Sequence, residues 1–209
     1  KMTEKMDIEV VKDCFKAAKK EDGTINIEEL MRGYEEIARL YDMMGSLFTF
    51  VSKDMRYRLK ALETHRSDKS LSDNYQTVQA VLEYETNNGI KRKSKKGGLS
   101  GNRALHEMHF DIEFFIEMFI TLAAGNDDSK CSELSREAFD KTLSNNVNFA
   151  VRQAARLAMK WLPTRKVFID TNLKQDTAQA LELIGPTTDI MRQVYNIMEA
   201  EFSKHNIKN

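Results

Sequence analysis

The sequence predicts an all-α protein, and three observations lead there. Only two Pro and nine Gly occur in 209 residues, too few for a many-stranded sandwich that turns every ten residues or so. Apolar residues recur at steps of three and four over long stretches instead of alternating. The 41% of hydrophobic residues, beside 31% charged, suffice for a sizeable core and exclude a disordered chain. The length favours one domain, residues 1–209, over two small ones.

Ile8 to Ala18 reads as a first, short helix. The segment 19–30 then imitates the second half of a calcium-binding loop, with Glu29 at position twelve if Gly23 stands at position six. Ala18 and Lys20 would occupy positions one and three and supply no carboxylate oxygen. The segment is therefore a turn, with Asn26 capping a long helix. From Leu30 the apolar residues Tyr34, Ile37, Tyr41, Met44, Phe48, Val51, Met55, Leu59 and Leu62 form one long stripe. Gly45 inside it marks a kink or a break. Residues 72–84 form a further helix with Ser72 or Asp73 as N-cap. The stretch 87–102, rich in Gly, Ser, Asn and basic residues, is an exposed loop.

A second strong stripe runs through Leu105, Met108, Ile112, Phe115, Ile116, Phe119 and Ile120 and ends near Gly125. Ser132 or Ser135 caps the next helix, and residues 149–162 form another, with Leu157 and Trp161 facing the same way. Pro163 opens a helix from Thr164 to about Leu173. The last helix, residues 177–202, carries Gly185-Pro186 as a kink or break. About eight helices result.

The 32 Lys+Arg residues balance the 32 Asp+Glu residues, so no global field draws the chain onto nucleic acid, and a charged partner has to be recognised locally. The run Lys91-Arg92-Lys93-Ser94-Lys95-Lys96 suits a nuclear-import signal, a nucleic-acid patch or anionic lipid, against the plain alternative of a solvated loop. It lacks the interleaved aromatics of a single-strand binder. Cys14 and Cys131 are too few for a disulfide framework and lack zinc-site spacing, which fits a reducing, cytoplasmic setting. There is no run of 18 apolar residues and no signal-peptide core at the start.

His106 and His109 bracket Glu107 in an HExH pattern, not the HExxH that sets two imidazoles one turn apart. No third ligand accompanies them, so they read as surface or boundary histidines and no metal is expected. The sequence has no GxSxG, no Gly-rich phosphate loop and no supported Cys/His pair. Neither an enzyme nor a cofactor is indicated. Asp54 and Arg58 stand one turn apart beside the first stripe, and Arg103 and Glu107 do the same at the head of the second, where spacing alone suggests surface ion pairs.

Two blocks add a resemblance. Residues 41–54 (YDMMGSLFTFVSKD) resemble the helix-two block of the glycolipid transfer protein family, and residues 150–165 (AVRQAARLAMKWLPTR) are similar to a second block, especially in its ceramide-1-phosphate transfer branch. The resemblance implies a two-layer, all-helical sandwich enclosing an apolar pocket for sphingolipid chains. It implies that Asp54 binds the sphingoid amide and head group, and that Arg58 and Arg103 hold a phosphate. Glu107 stands at the second arginine position of that branch, Val147 at the position of the histidine that bonds the ceramide carbonyl, and Phe149 at that of a following tryptophan. If all four head-group residues share one site, its charges balance, and a neutral or zwitterionic head group becomes an alternative to ceramide-1-phosphate.

A lipid with about 30 methylenes would cost on the order of 20 kcal/mol to expose to water, so a soluble carrier has to enclose it. Eleven Met and eleven Phe suit a pocket that re-packs around variable tails, although most of them also read simply as core. Trp161, followed by Arg165 and Lys166, suits transient docking at a membrane surface, against the plain alternative of an ordinary half-buried tryptophan. The expected protein is a cytoplasmic, non-enzymatic carrier or sensor of sphingolipids, of unknown oligomeric state. The rival is a helical protein-interaction module that has lost lipid transfer.

Overall fold

A computed structural model describes residues 4–94 and 97–207. Nine α-helices run through the described residues: α1 (Ile8–Ala18), α2 (Ile27–Met43), α3 (Thr49–Ser67), α4 (Val78–Asn87), α5 (Gly101–Ala124), α6 (Cys131–Lys141), α7 (Phe149–Met159), α8 (Arg165–Asn172) and α9 (Thr177–Lys204). Among these residues there is no strand, only isolated bridges that pin loops. The helices close into a ring, with α1 on α2, α2 on α3, α3 on α5, α5 on α9 and α9 back on α1. This is the expected two-layer sandwich. Helix α6 lies on α5, and α7 on α6.

Helix α1 turns Ile8, Val11, Phe15 and Ala18 inward, the three-and-four spacing that gives a helix one apolar face. Phe15 lies so close over Gly33 of α2 that a Cβ there would sit 2.9 Å from its ring. The start of α1 is stitched to the α8–α9 connection: Met6 N–H donates to the Asn172 carbonyl (3.1 Å), and Lys174 Nζ donates to Asp7, the α1 N-cap, at 2.6 Å.

The first stripe is two helices, because Gly45 marks a break and not a kink, which accounts for the ninth. Met44 closes α2 by donating its N–H to the Leu40 carbonyl, and Gly45 follows at φ +90° with open space where a Cβ would be. The left-handed backbone is what calls for glycine there. A 3-10 turn, Ser46–Phe48, then leads into α3. As expected, Asn26 caps α2, its Oδ1 accepting from Glu29 N–H at 3.0 Å.

Other boundaries differ from the sequence reading. Ser72 and Asp73 sit in a 3-10 turn, and α4 begins later, capped by Thr77, whose Oγ1 accepts from Ala80 N–H. Neither Ser132 nor Ser135 caps α6. Its first N–H, on Cys131, donates instead to the Pro163 carbonyl at 3.0 Å, where Lys130 and Thr164 form a bridge. Gly185-Pro186 does not break α9. Thr187 and Thr188 hydroxyls donate to the Leu183 (2.7 Å) and Ile184 (3.0 Å) carbonyls, adding bonds to the ladder where proline removes one. His106 and His109 are buried rather than superficial, because α5 is apolar around most of its circumference and α9 covers them.

Candidate functional site

Two helices and one buried carboxylate position the site. Gly101, at the start of α5, approaches α4 so closely that a Cβ would lie 2.7 Å from Val81. That approach lets the buried Glu85 accept from the first backbone N–H groups of α5, Gly101 at 2.8 Å and Asn102 at 2.7 Å. A carboxylate at a helix N-terminus meets both orphan donors and the helix dipole. Ser100 Oγ accepts from Arg103 N–H at 3.2 Å. With its start fixed in this way, α5 presents Arg103, Glu107 and Asp111 at steps of four along one face. Opposite, α3 presents Asp54 and Arg58, again one turn apart.

Arg58 is the hub, its side chain only 11% exposed. Nε donates to Glu107 Oε2 at 2.9 Å, and Nη1 donates to Asp111 Oδ2 at 2.7 Å and to the Tyr34 hydroxyl at 3.1 Å. Nη2 donates to Asp54. Arg103 Nε donates to the other Glu107 oxygen at 2.6 Å, so Glu107 bridges the two guanidiniums. Tyr34 of α2 donates its hydroxyl to Asp111. Burial works against the Arg58 charge, but the surrounding carboxylates outweigh it and hold the guanidinium firmly protonated. Burial raises Asp111 above the usual carboxylate range despite the pull of Arg58, and burial beside Asp111 raises the Tyr34 hydroxyl.

Asp54, Arg58, Arg103 and Glu107 thus meet in one network. Arg103 also borders a cavity of about 610 Å³ together with Lys91, Arg92 and His106. Lys91, Arg92 and Lys93 are exposed; Lys95 and Lys96 of the same basic run lie outside the described residues. Val147 is half-buried against the core after the 3-10 turn Leu143–Asn145, and its side chain has no group to bond a carbonyl.

The docking candidates separate. Trp161 is 75% exposed, and Phe149 and Leu157 of α7 are also strongly exposed, so a row of apolar side chains faces water. Lys166 is exposed and pairs with Asp170 at 2.8 Å. Arg165 does not belong with them: it is only 6% exposed. Its Nη1 donates to the Leu122 (3.2 Å) and Gly125 carbonyls, and its Nη2 to Asp127 at 2.8 Å. It clamps the end of α5 to α8, and the unpaired carbonyls at that helix end are what draw it inward.

A family model described as glycolipid transfer protein matches residues 25–174, from α2 through α8 and including the whole Arg58 network. The chain belongs to the glycolipid transfer protein family. The ceramide-1-phosphate transfer protein of Mus musculus is 28% identical over 206 residues, covering 96% of this chain and 94% of that protein. The crystal structure of the mouse protein in its apo form matches with a TM-score of 0.89 at 28% identity, covering 98% of each chain. The human ceramide-1-phosphate transfer protein in complex with 12:0 ceramide-1-phosphate has the same fold, with a TM-score of 0.88 at 23% identity over 98% of this chain and 99% of that one.

Within this glycolipid transfer protein fold, two members of the network escape the sequence reading. Asp111 carries a signal, since it continues the four-residue step of Arg103 and Glu107. Tyr34 carries none, because its position in the apolar stripe hides the hydroxyl. With Asp111 included, carboxylates outnumber guanidiniums in the network, and the charges do not balance as the sequence suggested.

Proposed function

We propose that this chain carries or senses sphingolipids that share a ceramide phosphate core, without catalysis and without a cofactor, as one domain over residues 1–209. Asp54, Arg58, Arg103 and Glu107 form the head-group site, with Arg58 holding its carboxylates in place, and the hydrocarbon chains enter between the helix layers. The observation that carries the reading is the Arg58 network itself, set on the fold of a lipid-transfer family. Buried Met55, Met108, Met191 and Met198 supply a core that re-packs around chains of different length. No helix among the described residues is long and apolar enough to cross a membrane, and contact with the bilayer is transient, in a cytoplasmic setting.

Asp54→Val tests the site. Its side chain is 57% exposed, and an exposed ion pair contributes about 1 kcal/mol or less, so Tm should move by no more than about 3 °C. Transfer of a fluorescent ceramide phosphate lipid between vesicles should nonetheless vanish. Transfer at the wild-type rate would sink the site.

Docking is assigned to Trp161 and the exposed face of α7, with the exposed Lys166 close by in sequence. An indole at the interface combines apolar burial with a polar N–H. Trp161→Ala is expected to lower co-sedimentation with vesicles and slow transfer several-fold at unchanged Tm. Equal sedimentation of the two proteins would move the docking face elsewhere.

A further inference from the structure

We infer that the head-group site is built for a phosphodiester carrying a primary ammonium, of the ceramide phosphoethanolamine class, rather than for a bare phosphate monoester. The inference rests on the carrier reading above and names its cargo more closely. A phosphate monoester brings about −1.5 to −2 charges near neutral pH. It would meet two guanidiniums, Arg58 and Arg103, that already face the three carboxylates of Asp54, Glu107 and Asp111. Arg58 cannot turn toward it: every nitrogen of its fork is engaged, by Glu107, Asp111, Tyr34 and Asp54. Releasing it would strand the half-buried Asp111 without its cation.

Arg103 is differently placed. Only its Nε is engaged by the protein, with Glu107; Nη1 and Nη2 have no protein acceptor among the described residues. Arg103 borders the cavity that Lys91 and Arg92 also line. The site is thus bipolar, with an open basic flank at Arg103 and an acidic flank at Glu107 and Asp54. A phosphodiester with its single negative charge fits the Arg103 fork. An ammonium one ethylene unit away fits Glu107, whose oxygens each accept one bond from an arginine and have a further lone pair to offer. The trimethylammonium of a phosphocholine lipid has no N–H to give. A sugar would satisfy the carboxylates through its hydroxyls but leave the Arg103 fork facing no anion.

The experiment measures transfer between vesicles of four lipids with matched chains: ceramide-1-phosphate, ceramide phosphoethanolamine, sphingomyelin and glucosylceramide. It uses the full chain and its Glu107→Gln variant, each checked for folding by circular dichroism. Ceramide phosphoethanolamine is expected to move about tenfold faster than ceramide-1-phosphate and faster than the other two. Glu107→Gln should collapse that ratio toward one while the variant stays folded. Should ceramide-1-phosphate, sphingomyelin or glucosylceramide move as fast or faster in the wild type, the ammonium assignment is overturned and the carrier reading stands. A preference unchanged in Glu107→Gln likewise overturns the role of Glu107. If none of the four lipids moves, the carrier reading itself falls and takes this inference with it.

Discussion

Arg58→Met is expected to abolish transfer and also to destabilise the protein by about 3 kcal/mol, the scale of breaking a buried ion pair from one side. For a chain of this size that is a Tm loss of roughly 6–12 °C. The cause lies in what Arg58 leaves behind. Asp111, 19% exposed, and the fully buried Tyr34 lose the cation that Nη1 brings to both. Asp111 is already raised by burial and would rise further in the folded variant, because the cation that opposes that rise is gone. A carboxyl with a raised folded pKa holds more protons folded than unfolded, so stability falls as pH rises. The deficit of the variant should therefore widen from pH 4 to pH 7. Adding Asp111→Asn should restore part of the lost stability while transfer stays absent, because the bare carboxylate is gone. Additive losses in this double-mutant cycle, measured by denaturant unfolding, would show that the two side chains are not coupled.

Acid should destabilise the protein through His109, by up to about 3 kcal/mol between pH 6.5 and pH 4. His109 is 1% exposed, stacked 3.9 Å from Tyr195 and edged by Phe202. Burial lowers its pKa to about 4, against the opposing pull of Glu199, whose carboxylate lies 2.6 Å from Nε2. Nδ1 is buried with no partner, so a second ring proton would have no acceptor. The unfolded chain binds that proton near pH 6.5 and the folded one only near pH 4, so stability drops as pH falls through the window. Asp111 and Glu113, both raised by burial, work in the opposite sense and are present in wild type and variant alike. His109→Phe keeps a ring in the stack and should flatten the fall. Parallel pH–Tm curves for the two proteins would remove His109 as the cause.

The helices were legible wherever a local pattern fixed them. The α1 boundaries follow from its apolar spacing alone, and Asn26 announced the cap of α2. Boundaries failed where a distant group replaced the local signal. The Pro163 carbonyl starts α6 without a serine, and Thr187 and Thr188 support α9 across a proline that looked like a break. The site divides in the same way. Asp54 with Arg58 and Arg103 with Glu107 are visible as pairs along a helix, but only packing sets α3 against α5 and turns two pairs into one network. Tyr34 enters from a third helix, α2, where sequence spacing marks it as ordinary core. Arg165 was misplaced for a related reason: a cation beside an exposed tryptophan reads as a lipid contact until the open carbonyls at the end of α5 are seen to claim it.

The ring of helices orders how the molecule comes into being. Helix α1, the first of the nine, packs on α9, the last, and its cap is held by Lys174 and Gln175. A chain leaving the ribosome at about 5–20 residues per second therefore carries one apolar face of α1 uncovered until α9 emerges. Contacts this far apart in sequence make closure a late and slow event. In that interval the apolar face that α1 turns toward α9 stays open to water.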